Sequence, residues 1–175
     1  MSELTFDNKF ESFRTFRGAQ MRTDMTMGLV NKRKFRCYRE FTGATVLRFT
    51  AARDFLLTAQ DLQLDAGQAK VQIMTGGTPG GVFTDIPTKF CMNTIGGDVA
   101  GFSAVAAGGT FTGGTEREVL RANAGAGQGA GRPSPAGARL LGAGTFYMVI
   151  TVTGTTSGVY SFEFEELDTV AGVAV

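Results

Sequence analysis

Two carboxylate pairs, Glu116/Glu118 and Glu163/Glu165, are the side chains whose spacing best suits acid–base chemistry in this 175-residue chain. Residues two apart on a strand point to the same face, so each pair would set two carboxylates side by side. Glycosidases use two carboxylates, but across a cleft and from different strands, so the simpler reading is a pair of solvent-facing acids. The chain contains no His, which excludes Ser-His-Asp and Cys-His nucleophile sets and the usual zinc sites. Cys37 and Cys91 lie in no CxxC motif and read as small buried hydrophobes; a disulfide between them would require an oxidising medium. Asp61, Asp65 and Asp98 are too dispersed for a Ca²⁺ loop. The stretches GGTPGG and GGTFTGGTE lack the Gly-Lys-Ser/Thr ending of a phosphate loop and read as turns. No catalytic residue, metal site or cofactor is expected.

Cations are the next group with a pattern. Residues 1–39 carry nine Lys/Arg against four Asp/Glu, a net +5, while residues 40–175 carry eight against twelve, a net −4. The densest run is NKRKFR, with Lys32, Arg33, Lys34 and Arg36. Upstream, Phe6, Phe10, Phe13 and Phe16 are interleaved with Lys9, Arg14 and Arg17. Rings spaced among cations suit anchoring in apolar pockets of an acidic protein surface better than tracking of phosphates. For the arm a partner protein is therefore preferred over nucleic acid, beside a plain solvated segment, and for NKRKFR protein contact ranks first, a solvated strand entry next, and nucleic acid third.

These side chains must be held by strands. With 25 Gly and 15 Phe, no Trp, and turn signals every eight to twelve residues, the chain reads as all-β: a single β-sandwich, jelly-roll-like, behind an extended N-terminal arm. The expected organisation is an arm over 1–34, a sandwich over 35–168 and a tail over 169–175. A Gly/Ala-rich loop at 122–138 has nothing large enough to form core. The spacing of Phe6, Phe10 and Phe13 also fits a short amphipathic helix, with an extended arm preferred. KFRCYREF and ATVLRFTA alternate and read as a hairpin or two consecutive strands around TG; TEREVL is open between strand and one capped helical turn. The runs 55–58, 62–64 and 70–74 read as separate short strands.

GTFYMVITVTGTTSGVYSFEFEELD reads as a hairpin turning at GTTSG. Phe146, Met148, Ile150 and Val152 form one face and Tyr160, Phe162 and Phe164 the matching face, all directed to the core. Glu163 and Glu165 fall on the wet face. Tyr147 and Val149 make the opposite face of the first strand apolar too, and such a face needs cover from another segment or another subunit. They are the expected oligomer contact. The N-terminus shows no basic region followed by an apolar core, so no signal peptide is expected, and no run approaches a membrane span.

The stretches RCYREFTGATVLRFTAARDFLLTAQDLQLDAG, GGVFTDIPTKFCMNT, GGTFTGGTEREVLRANAG and GARLLGAGTFYMVITVTGTTSGVYSFEFEELD carry a resemblance to small virion structural proteins of tailed bacteriophages. It spans residues 21–168. The resemblance implies a β-rich accessory protein of the particle, such as a capsid decoration (cement) protein or a fibre component; decoration proteins are often trimeric sandwiches with terminal arms. The expected function is thus a non-enzymatic virion protein made in the host cytoplasm. It would be a homotrimer binding the major capsid protein, or another virion protein, through its arm. A glycan- or receptor-binding fibre module and a tail or neck adaptor are the alternatives; the scarcity of Tyr and lack of Trp weigh against glycan binding.

Overall fold

The computed structural model describes residues 31–86, 89–97, 100–124 and 139–167. The arm residues Phe6, Phe10, Phe13, Arg14, Phe16 and Arg17, most of the Gly/Ala loop, Asp98 and the tail lie outside them. The described residues form an all-β fold without helix. Its strands are β1 (Lys34–Thr42), β2 (Thr45–Ala51), β3 (Phe55–Thr75), β4 (Thr78–Asp85), β5 (Lys89–Cys91), β6 (Ala104–Thr112), β7 (Thr115–Asn123), β8 (Arg139–Leu141) and β9 (Gly144–Glu166). TEREVL is thus strand, the start of β7.

The expected C-terminal hairpin is a single 23-residue strand, β9. It runs antiparallel to the 21-residue β3 along most of its length, from Phe55↔Glu166 to Met74↔Tyr147. On its other edge lie β1, against residues 157–165, and β2, against residues 144–150. Both are antiparallel to β9, so β1 and β2 run end to end in one direction, and TG makes an offset between them instead of a hairpin turn. The sheet path is β4-β6-β2-β9-β1-β5, with β3 on the free edge of β9 and β7 and β8 on β3.

The residues read as a turn are the corner at which the long strands bend. Ala66 pairs with Ser157 and Gln68 with Thr153, so Gly67 of β3 faces three residues of β9, Gly154 to Thr156. Such an excess on one strand bends and twists a ladder. Thr156 ties the corner together: its buried hydroxyl donates to the Thr153 carbonyl at 2.9 Å, and its own carbonyl accepts from Gly43 N at 2.9 Å. Gly67 adopts φ +75°, and a Cβ there would come within 2.1 Å of Thr156 Oγ1. Only glycine supplies both the left-handed backbone and the close approach.

Bending the strands brings the inner faces of the two halves together over one core. The Phe49 ring of β2 meets Phe164 at 4.8 Å and Phe162 at 5.5 Å, both edge-on, and Phe55 of β3 meets Phe146 at 5.3 Å. Edge-to-face contacts at such separations are favoured by the ring quadrupoles. Phe146, Met148, Ile150, Tyr160, Phe162 and Phe164 are all buried in this cluster, as the alternation predicts, although they belong to one strand. Tyr160 donates to Gln60 Oε1 at 2.7 Å, which satisfies two polar groups deep in the core.

A second corner folds the β3–β7 ribbon. Thr75 pairs with Thr115 and, two glycines further on each strand, Thr78 pairs with Thr112, so the ribbon β3–β7 continues into β4–β6. Gly76, Gly77, Gly113 and Gly114 all have positive φ. The Phe111 ring sits where a Cβ on Gly77 would be, 2.6 Å from its Cζ. This folded ribbon carries Phe83 and Phe111 onto the outer face of β9.

Candidate functional site

The run NKRKFR leads into β1, and the structure engages much of its charge within the chain. Lys32, at φ 55°, donates from Nζ to the Gly97 carbonyl at 2.6 Å. The Arg33 carbonyl accepts from Glu166 N at 2.9 Å. Lys34 is the first residue of β1 and is 8 % exposed, with Nζ 3.3 Å from Glu163 Oε2. Arg36 donates from Nε to Glu163 Oε1 at 3.0 Å, and its second nitrogen bonds the same oxygen. The register Arg36↔Glu163 sets these groups directly opposite each other.

Glu163 is therefore not the freely solvated acid that its alternation suggests. Burial raises its pKa, but the Arg36 hydrogen bond and the charges of Lys34 and Arg36 outweigh that, and the carboxyl is held below its ordinary value. A general acid needs the opposite shift. The other carboxylate pair is divided: Glu116 accepts from the Gln72 amide, whereas Glu118 lies 3.5 Å from Arg139. Among the described residues no group of three His, Cys, Asp or Glu is arranged to hold a metal. Cys37 and Cys91 are buried on adjacent strands, and no disulfide joins them.

On the outer face of β1 an exposed aromatic ring, Tyr38, lies between the exposed Arg36 and Glu40. Tyr38 and Phe90 are 40 % and 42 % exposed, and their rings stack at 5.6 Å with a 10° interplanar angle. Phe90 stands opposite Arg36 on the short edge strand β5. Beside them, Arg36, Asp61, Gln63, Ser161 and Glu163 line a shallow cavity of about 220 Å³. Phe90 was not singled out from the sequence, although its alternation with the buried Cys91 was a usable signal. Stacked rings that keep large exposed faces, beside a half-exposed guanidinium, have the composition of an interface anchor.

The expected contact residues Tyr147 and Val149 do lie on the outer face of β9. Tyr147 is 7 % exposed, and its cover comes from the same chain: Phe111 stacks on it at 4.4 Å and Phe83 meets it edge-on at 6.0 Å. Val149 is half-buried, directly opposite Val46 of β2 and Gln72 of β3. No helix among the described residues is long and apolar enough to cross a membrane. The chain matches no protein-family model, no curated protein and no solved structure.

Proposed function

We propose that this chain is a non-enzymatic structural protein of a virion, a decoration protein that binds the major capsid shell as a homotrimer. The observation that carries this reading is the exposed stack of Tyr38, on the strand β1 that follows residues 1–33 in the sequence, with Phe90 of β5, beside Arg36. In this reading the arm, whose sequence is rich in Phe and cations, and this aromatic face both contact an acidic protein. In this reading the curled sheet, bent at the Gly67 corner, forms the two layers of a jelly-roll-like sandwich and serves as a rigid mount. The resemblance to small virion proteins of tailed bacteriophages points the same way. Binding needs many modest contacts, because a total buried area of about 1,600 Å² suffices for a specific interface.

The test is co-sedimentation with shells of the cognate major capsid protein. Full-length chain pellets with shells, a chain lacking residues 1–30 stays in the supernatant, and both melt at the same temperature. Deletion stops at residue 30 because Lys34 is a buried partner of Glu163. A Tyr38→Ser/Phe90→Ser double variant binds more weakly at unchanged stability. If the shortened chain pellets as well as the full one, the arm is not the anchor and the reading fails.

A further inference from the structure

A second surface lies on the other half of the sheet, away from the β1 face. On β3 and β7, Lys70 and Arg121 are directly opposite each other and point outward, since their neighbours Ala69, Val71, Leu120 and Ala122 are buried. Two like charges facing each other across a ladder are destabilising. Among the described residues neither has a carboxylate within ion-pair distance, although the body as a whole has more acids than bases. Glu116, further along the same pair of strands, is bound by Gln72. On the next row Gln68 stands opposite Asn123, and on β9 Thr151 and Thr153 stand opposite Lys70 and Gln68.

These residues line an open cavity of about 550 Å³, within the roughly 300–1,000 Å³ typical of small-ligand sites. Its walls are more polar than apolar, with Ala69 and Val152 among the polar side chains. One row supplies two cations, and the adjoining row, about 7 Å along the strands, supplies two amides that both donate and accept. A ligand that matches has an anionic group at one end and hydroxyls at the other. We propose that this cavity binds an acidic saccharide, with its carboxylate, sulfate or phosphate between Lys70 and Arg121 and its hydroxyls on Gln68, Asn123, Thr151 and Thr153. A nucleic acid fits less well, because two cations on an acidic body do not offset the repulsion of a long polyanion. The inference does not rest on shell binding by the arm.

The experiment is a titration of the isotope-labelled full-length chain, followed by amide resonances, at matched ionic strength. The probes are galacturonic acid, digalacturonic acid, galactose and inorganic phosphate. Both uronic acids are expected to shift the amides of Gln68, Lys70, Arg121 and Asn123, and galactose to leave them in place. The Lys70→Gln/Arg121→Gln variant binds at least tenfold more weakly, yet melts at or above the wild-type temperature because the facing charges are gone. Should the double variant fail to fold, Arg121→Gln alone, at an exposed position, decides by the same criterion. Equal affinity in the variant, or no shift with either uronic acid, overturns the site. Shifts with phosphate but not with the uronic acids mean a small-ion site only, which also overturns the saccharide assignment.

Discussion

Replacing Glu163 by Gln removes a charge shared by two cations of unequal burial. The Lys34 side chain is 10 % exposed and that of Arg36 54 %, with Glu163 itself at 16 %. Losing one partner of a buried pair costs about 3–5 kcal/mol, because the remaining charge is left without compensation. An exposed pair contributes only about 0–1 kcal/mol. Glu163 lies between these limits, and Gln retains an acceptor for Arg36, so a loss of about 2 kcal/mol at neutral pH is expected. The folded-state pKa of Glu163 lies below its ordinary value of 4.5, so the stabilisation is complete above 4.5 and is lost as pH falls through the folded value. Urea unfolding of wild type and Glu163→Gln at a series of pH values measures both effects. The two curves should differ most near pH 7 and converge in acid, once Glu163 is protonated. Lys34→Met combined with Glu163→Leu should recover most of the loss, since a buried pair exchanged for apolar side chains is often neutral. A difference below about 0.5 kcal/mol at pH 7, or one that persists unchanged in acid, would refute this account of the root of the arm.

Three further expectations concern the core and the outer cover. Tyr160→Phe leaves Gln60 Oε1 buried without its donor and should cost about 1–3 kcal/mol, while adding Gln60→Leu should restore much of it. Because burial, with the charges of Glu118 and Cys37 adding, raises the Tyr160 phenol well above its ordinary range, its phenolate absorbance should appear in alkaline titration only with unfolding. Phe111→Ala uncovers Tyr147 and should destabilise by about 2 kcal/mol, below the about 3–5 kcal/mol of a fully buried ring because Phe111 is only half-buried. Increased dye binding by the folded variant would confirm that the cover is intramolecular, and unchanged stability would show that Phe111 does not provide it.

The strand content was legible because alternation is local. Even-numbered residues from Phe146 to Phe164 keep one phase through GTTSG, and that unbroken phase also marked a single strand, but turn residues outweighed it in the hairpin reading. On β3 the phase slips: Phe55 and Leu57, then Leu62 and Leu64, then Ala69, Val71 and Ile73 face inward, with irregularities after Leu57 and Leu64. A bulge changes the parity of all that follows, so one long strand looks like three short ones. The two carboxylate pairs were likewise visible as pairs, whereas their partners were not.

By itself the sequence determined that this is an all-β chain, that histidine-dependent chemistry is excluded, and which alternating residues carry the core. These follow from composition and from a period of two, which each strand expresses without reference to its neighbours. Only the tertiary structure decided that Glu163 meets Lys34 and Arg36, more than a hundred residues away in sequence, and that Phe83 and Phe111 cover Tyr147. It also placed Lys70 opposite Arg121 beside a polar cavity. Strand register and the bends at Gly67 and the paired glycines set these meetings, and register is a property of two strands together that neither strand encodes alone.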